Sequence, residues 1–233
     1  MNKLYILLLC MVPFSLQAQS DSKFLIRSNI GYSSGSDFNR FSPDRISDFQ
    51  FRGLRWNTNA GVNVGKNLML GLGLDVQRNV SEQNRITNSD PNTGNISVTS
   101  IDEFTSTTLT PSIFASLFSN VSEKITLAGD FNIGYAFSDT ESTFRSFATT
   151  TSGDMNPGSL SNSEVKSETL LFNLAPSVRF KLWKNIGLDF TFGSIRYATN
   201  TEDSSLIDSD GNSNNFRVNF TPDSWLLGFF IEL

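Results

Sequence analysis

Leu68-Met69-Leu70-Gly71-Leu72-Gly73-Leu74-Asp75-Val76-Gln77 is the stretch whose reading decides the architecture. Every second residue is Leu or Val, and the residues between them are Met, Gly, Gly, Asp and Gln. Side chains alternate across an extended strand, so this segment has one bulky apolar face and one small or polar face. A helical winding would scatter both sets around its axis.

The same period of two spreads outward from this segment. Gly65-Lys66-Asn67 makes a short turn, and before it Leu54, Trp56, Ala60, Val62 and Val64 oppose Arg55, Asn57, Asn59, Gly61 and Asn63. A first strand sets Phe24, Ile26, Ile30 and Tyr32 against Arg27, Asn29 and Gly31. Downstream, Leu109, Pro111, Ile113, Ala115 and Leu117 oppose Thr108, Thr110, Ser112 and Ser116. Leu127, Phe131, Ile133 and Tyr135 then oppose Asp130, Asn132 and Gly134. Leu170, Phe172, Leu174, Val178 and Phe180 stand against Asn173, Ala175, Ser177 and Arg179. Two final strands set Ile186, Leu188, Phe190 and Phe192 against Gly187, Asp189, Thr191 and Gly193, and Trp225, Leu227, Phe229, Ile231 and Leu233 against Gly228, Phe230 and Glu232. Eight strands are expected.

Their connections are of two kinds. Residues 65–67, 119–124 and 183–185 make short turns, whereas turn chemistry at Ser42-Pro43-Asp44, Asp90-Pro91-Asn92-Thr93-Gly94, Asn156-Pro157-Gly158 and Asp208-Ser209-Asp210-Gly211 marks four long connections. Polar β-rich sequence flanks those tips, so the hairpins should extend beyond the apolar zone as paired strands. Short turns at one end and long ones at the other are the arrangement of a transmembrane barrel with periplasmic turns and extracellular hairpins.

Two barrels fit eight alternating strands: a soluble carrier with an apolar interior, and a membrane barrel with the reverse. Eight strands leave a narrow interior, which Gly71, Gly73, Ser112, Asn132 and Gly187 suit and the Leu and Phe face does not. The greasy face should meet lipid. Tyr32, Trp56, Tyr135, Phe172 and Trp225 fall at one height along their strands and form an expected outer aromatic belt, with Phe24, Phe118, Phe180 and Trp183 as a lower girdle. Pro111 and Pro176 would each remove a ladder donor from a closed sheet, so a local bulge is expected at both.

Composition narrows the function. The 233 residues include no His and a single Cys, with 23 Asp+Glu against 18 Lys+Arg. The acidic balance gives no electrostatic footprint for nucleic acid. Lys3, the apolar stretch from Leu4 to Leu16 and the Leu16-Gln17-Ala18 end form an expected secretory signal peptide over residues 1–18, followed by one domain over 19–233. Cys10 lies within the apolar run after Leu7-Leu8-Leu9, which is not a lipidation context, so the exported chain should contain no Cys. Neither a disulfide nor a Cys or His zinc site is then available, and no metal or cofactor is expected.

With these features and the terminal Trp225-Leu226-Leu227-Gly228-Phe229-Phe230-Ile231-Glu232-Leu233 strand in view, the chain resembles the small bacterial outer-membrane β-barrel family, in particular the OmpA-type transmembrane domain and the porin-like barrel proteins of Bacteroidetes. The resemblance implies an all-β, eight-stranded antiparallel up-and-down transmembrane barrel in the bacterial outer membrane. It implies outer-membrane lipid and lipopolysaccharide as surroundings, the barrel-assembly machinery as a partner, and an unidentified surface ligand for the loops.

The inward face carries Arg27, Arg55, Arg179 and Lys181 against Asp75, Asp130, Asp189 and Glu232, a balanced ionic network. Asp130, Arg179 and Asp189 sit at comparable heights on consecutive strands, and Arg27 is expected to reach Glu232 across the seam. The network reads as a structural plug or as an ion-selective constriction, the latter giving a narrow porin. No enzyme is expected: the barrel hydrolases that resemble this architecture rely on a histidine. A site without one would need paired carboxylates such as Asp102-Glu103 or Glu202-Asp203, which read more simply as strand ends or loops. Asp208, Asp210 and Asn212 lack the downstream Glu of a calcium loop. Arg40, Arg45 and Arg52 in the first long connection suit either lipopolysaccharide phosphates or plain solvation.

Overall fold

The computed structural model describes residues 24–42, 45–88, 97–149, 155–200 and 214–233. The expected signal peptide, Cys10, Glu202-Asp203, the Asp208 to Asn212 segment and most of the long-connection tips lie outside the described residues, as do the side chains of Arg40 and Arg45.

Hydrogen bonding closes the chain into a single antiparallel ring. The strands are β1 (Phe24–Ser42), β2 (Arg45–Asn63), β3 (Leu68–Asn88), β4 (Ser97–Asn120), β5 (Ile125–Thr149), β6 (Met155–Lys181), β7 (Ile186–Phe192), β8 (Ser194–Asn200), β9 (Asn214–Asn219) and β10 (Trp225–Glu232). Each strand from β1 to β6 pairs with the next; β6 then pairs with β7 low down and β8 higher up, and β10 pairs with both β7 and β1. The seam runs from Leu25↔Glu232 to Ile30↔Leu227 and is tied at its foot by Phe24 N to Leu233 O at 3.0 Å and Leu233 N to Phe24 O at 2.7 Å. The expected short turns are present: Val64 N donates to Leu68 O, Val121 N to Ile125 O and Leu182 N to Ile186 O, at 3.0, 2.9 and 3.0 Å. At the other end β4, β5 and β6 run 24, 25 and 27 residues, far beyond their apolar zones.

The ring has ten strands instead of the expected eight, for a local reason. Gly193 alone separates β7 from β8, with φ +98°, and residues 220–224, including a 3-10 turn at Pro222–Ser224, separate β9 from β10. Opposite this break, the pairs Ser177↔Thr191 and Leu174↔Ile195 leave two residues of β6 facing three of the partner, which is a bulge. Only glycine adopts that φ without strain, and a Cβ at 193 would lie 2.2 Å from Asn219 O. Pro176 is one of the two β6 residues, so the bulge expected there falls on the partner strand. Pro111 differs from expectation: the β4–β5 register is unchanged from Leu109↔Phe137 to Ser112↔Gly134, and a gap in pairing at Thr110 and Pro111 takes the place of a bulge.

The ring is sheared. A row of paired residues leaving Arg27 one way passes through Asn59, Gly73, Ser112 and Gly134 to Leu171; leaving the other way it passes through Phe230 and Gly187 to Lys181. Both ends lie on β6, ten residues apart. A stagger of this kind tilts the strands and fixes how narrow the axis is.

The narrowness shows where two glycines meet. Gly61 pairs with Gly71, and the Phe114 ring crosses both on the inner face: a Cβ at Gly71 would lie 2.6 Å from Phe114 Cε1 and 2.2 Å from Ala60 O. A side chain there must move backbone, whereas Gly129, on the outer wall, has nothing within 4 Å of a new Cβ. Gly71→Val is expected to destabilise the barrel by about 1–3 kcal/mol or prevent its folding, and Gly129→Ala to be neutral. Heat-modifiable gel mobility of the refolded variants checks both.

Candidate functional site

The lumen holds nearly all of the buried polar chemistry, and it is layered along its axis. At the foot, Lys181 Nζ donates to Glu232 Oε2 at 2.8 Å. Above this mouth lies an apolar floor of Leu25, Met69, Phe114 and Phe230, each 3% exposed or less. Phe118 packs against the floor. It was expected in the lower girdle, but it stands two residues from Ser116 and four from Phe114, both buried in the lumen, so strand alternation carries it inward. Its ring fills the lumen instead of meeting the outer wall.

The next layer is a four-ion plug. Arg27 Nη1 donates to Asp130 Oδ2 at 2.5 Å and lies 3.9 Å from Asp189 Oδ2. Arg179 Nη2 lies 3.4 Å from Asp130 Oδ1, Arg179 Nε 3.4 Å from Asp189 Oδ1, and Nη2 also donates to Ser116 Oγ at 3.1 Å. Asn29 Nδ2 donates to Asp189 Oδ2 at 2.5 Å. All four ions are 5% exposed or less, and two cations face two anions, so the layer is neutral. The Arg27 guanidinium sits 5.4 Å over the Phe114 ring, joining plug to floor by a cation–π contact. Asp130, Arg179 and Asp189 are brought together here, with Arg179 and Asp189 direct register partners. The expected Arg27 to Glu232 pair does not form. Glu232 is engaged by Lys181 at the mouth, and Arg27 turns up the axis to the two aspartates.

Above the plug the lumen opens into a polar cavity lined by Asn57, Asn59, Asn132, Asn173, Ser194 and Ser224 among others. At its wall Arg55 Nε donates to Asp75 Oδ2 at 2.7 Å, and Asn57 Nδ2 reaches the same oxygen at 3.3 Å. Two further arginines belong to this level: Arg196, register partner of Asn173, and Arg217, register partner of Arg196. They are absent from the sequence-based set because the bulge at Gly193 reverses the inward parity. Below it Gly187, Asp189 and Thr191 point inward, above it Ser194 and Arg196. A Gly following a clean strand was the available signal.

Outside the lumen, the expected belt residues Tyr32, Trp56, Tyr135, Phe172 and Trp225 lie on the outer face. Tyr32, Trp56 and Trp225 are exposed, Tyr135 pairs edge-on with Phe137 at 5.1 Å, Phe172 tilts on Tyr197 at 6.1 Å, and Trp225 meets Phe190 at 5.4 Å. Tyr135 donates its hydroxyl to Glu168. At the foot, Phe24 is half-buried while Phe180 and Trp183 are exposed. The carboxylates Asp102 and Glu103 occupy opposite faces of β4, each turned to a different arginine, Arg85 at 3.8 Å and Arg145 at 4.0 Å. They form no dyad. Among the described residues no group of three or more His, Cys, Asp or Glu could hold a metal ion.

No family model matches the chain, and no curated protein matches it. Among solved structures the chain is similar to the RagAB peptide importer in its closed-closed state, at 14% identity and TM-score 0.38, over 81% of this chain and 20% of that one. It thus spans about one fifth of that importer chain. It is also similar to Neisserial surface protein A, at 12% identity and TM-score 0.36 over 92% and 99% of the two chains. A third similarity is to Ail, the attachment invasion locus protein of Yersinia pestis, in complex with the heparin analogue sucrose octasulfate, at 12% identity and TM-score 0.31 over 91% and 98%.

The plug can be tested directly. Asp130→Ala leaves two buried guanidiniums sharing the single carboxylate of Asp189 and is expected to cost about 3–5 kcal/mol, whereas Ser194→Ala, which removes a half-buried hydroxyl from the cavity wall, should change little. Urea unfolding of the two variants in micelles, followed by tryptophan fluorescence, gives the comparison.

Proposed function

We propose that this chain is an integral outer-membrane protein, exported on residues 1–18, whose strands form an up-and-down transmembrane barrel of eight staves. β7 with β8, and β9 with β10, each act as one stave broken at Gly193 and at residues 220–224. A ten-residue stagger across eight staves gives a strand tilt of roughly 40° from the usual rise and spacing, within the range for transmembrane barrels.

The observation that carries this reading is the inverted polarity of wall and lumen. Ile30, Leu72, Ile113, Leu117, Phe131, Leu174, Leu227 and Phe229 are between 42% and 66% exposed on the outer wall, while Arg27, Asp130, Arg179 and Asp189 are 5% exposed or less. Soluble proteins rarely expose more than a few hundred Å² of continuous apolar surface, and here it encircles the molecule. Hydrocarbon is the solvent that suits such a wall. A soluble lipocalin-like carrier would need the two faces exchanged.

The lumen supports a sealed barrel over a narrow porin. An apolar floor and a neutral ionic layer lie in series across the axis, an arrangement that favours closure over conduction. The role is then non-enzymatic: an envelope protein presenting long paired hairpins, chiefly β3–β4 and β5–β6, to a surface ligand. Its partners are outer-membrane lipid and lipopolysaccharide along the wall, where exposed Arg52 and Arg78 stand just above the Trp56 level and suit phosphate groups, and the barrel-assembly machinery at the terminal Trp225–Leu233 strand.

Reconstituted protein should float with vesicles and give no stepwise conductance in planar bilayers. Leu72→Arg, which sets a charge midway up the apolar wall, is expected to destabilise the inserted barrel by about 2–4 kcal/mol. A chain that stays monodisperse without detergent and tolerates Leu72→Arg would count against the reading.

A further inference from the structure

We propose that the upper lumen is a binding site for a single oxyanion group, phosphate or sulfate, gripped between Arg196 and Arg217 above the polar cavity. The two arginines are direct register partners on β8 and β9, so they stand side by side on one face of the sheet. That face is the lumen side, because Arg196 is also the register partner of cavity-lining Asn173. Like charges directly opposite one another in a sheet destabilise it, so the pair works against the stability of the fold unless something negative sits between them.

No protein group among the described residues supplies that charge. The ionic side chains acting on half-buried Arg196 are Arg55, Asp75 and Arg217. The one carboxylate, Asp75, is already held by Arg55 at 2.7 Å and Asn57 at 3.3 Å. No described carboxylate lies within ion-pair distance of Arg196 or Arg217. Three guanidiniums therefore face one anion at this level. The plug beneath is neutral, since Asp130 and Asp189 are matched by Arg27 and Arg179.

Arginine forks present parallel N–H donors that match the oxygens of phosphate and sulfate. The cavity below, lined by neutral Asn57, Asn59, Asn132, Ser194 and Ser224 as well as by Arg27, Arg55 and Asp130, is about 30 Å³, too small to admit the anion, which therefore sits above it between the two forks. Access is available from two directions. Along the axis, Arg217 and the rest of β9 are exposed to solvent. In addition, β1 pairs with β10 only as far as Ile30, and β9 pairs only with β8, so the wall between the upper part of β1 and β9 has no ladder. Phe216 and Val218, exposed on the outward face beside Arg217, border that gap. A free oxyanion would enter through the mouth, a lipid-borne phosphate through the wall.

The test is calorimetric titration of the full refolded chain in neutral detergent with sodium phosphate and with sodium sulfate. Saturable uptake of one anion per chain is expected. Arg196→Gln and Arg217→Gln should each weaken it by about tenfold, the worth of one lost charge-assisted contact. Lys124→Gln, an equal loss of charge at the opposite end, should leave it unchanged. Arg217→Gln lies on a fully exposed strand, and Arg196→Lys, which keeps charge but loses the fork, should fall between wild type and Arg196→Gln; heat-modifiable mobility verifies that each variant is folded. Repeating the titration with dihexanoyl phosphatidate identifies the source: tighter binding than inorganic phosphate assigns the site to lipid, equal or weaker binding to the bulk ion. Absence of saturable uptake overturns the proposal, as does unchanged affinity in both Gln variants, which means an adventitious ion only. Uptake that emerges only after Glu202→Gln with Asp203→Asn also overturns it, because the hairpin's own carboxylates would then own the arginines.

Discussion

A sheet that closes on itself has one inside and one outside, and the closure made by β1 and β10 from Leu25 to Ile30 governs the rest of this structure. Once the ring is shut, alternation along every strand becomes a choice between a cramped axis and an open wall. Bulky residues cannot all enter: Gly61 against Gly71 beneath Phe114 shows that even one ring consumes the space of two side chains. The small and ionic residues go inward because they fit, and the branched and aromatic ones are left outside. Closure also removes the free edges that an apolar sheet would otherwise present to other chains, except above Ile30, where β1 and β9 are each paired on one side only.

Filling the axis with charge carries a penalty. Taking an ion from water into a protein interior costs several kcal/mol after relaxation, and pairing recovers that only when geometry is good and the remaining donors are used. The plug meets much of this requirement by sharing: Asp130 serves both Arg27 and Arg179, Asp189 takes Asn29 as well as Arg179, and Ser116 takes a spare Arg179 donor. Such a network adds less net stability than an apolar core of the same volume. Its value is registration. Arg27 comes from β1, Asp130 from β5, Arg179 from β6 and Asp189 from β7, so a one-residue slip at any of these strands breaks several contacts at once and turns a charge toward the wall. The floor of Leu25, Met69, Phe114 and Phe230 is the complementary device, supplying apolar burial where the axis is free of ions.

Most of the architecture was legible in the alternation itself. The stretch from Leu68 to Gln77 states which face is which, and Arg179 with Asp189 could be paired from strand order alone. The departures have physical causes. The ring chemistry of Phe118 suits a girdle, but parity overrides residue type on a strand. Glu232 is the carboxylate across the seam from Arg27, but sequence does not reveal that Lys181 reaches it first. Arg196 and Arg217 were lost to a single bulge: Gly193 at φ +98° inserts one residue, the phase of β8 reverses, and extrapolation from β7 points every later side chain the wrong way. The expected bulges at Pro111 and Pro176 fared differently because a missing N–H has two remedies. The β4–β5 ladder skips a pair, whereas beside Pro176 the partner strand gains a residue.

The same bulge links fold to chemistry. Without Gly193, β7 and β8 would continue in one phase, Arg196 would face the wall, and the upper lumen would contain Arg55 and Asp75 as a closed pair. With it, the axis changes character with height: an ion pair at the lower mouth, an apolar floor, a neutral plug, then a level where, among the described residues, guanidiniums outnumber carboxylates. Charge that is balanced deep in the barrel and unbalanced near the open end follows from solvation. An excess cation is least tolerable where water and counter-ions are excluded, and becomes supportable where they can enter. The break at residues 220–224 frees β9 from the seam and brings that open end down to the level of Arg196 and Arg217. A local irregularity in one stave therefore produces both the cationic level and the route to it.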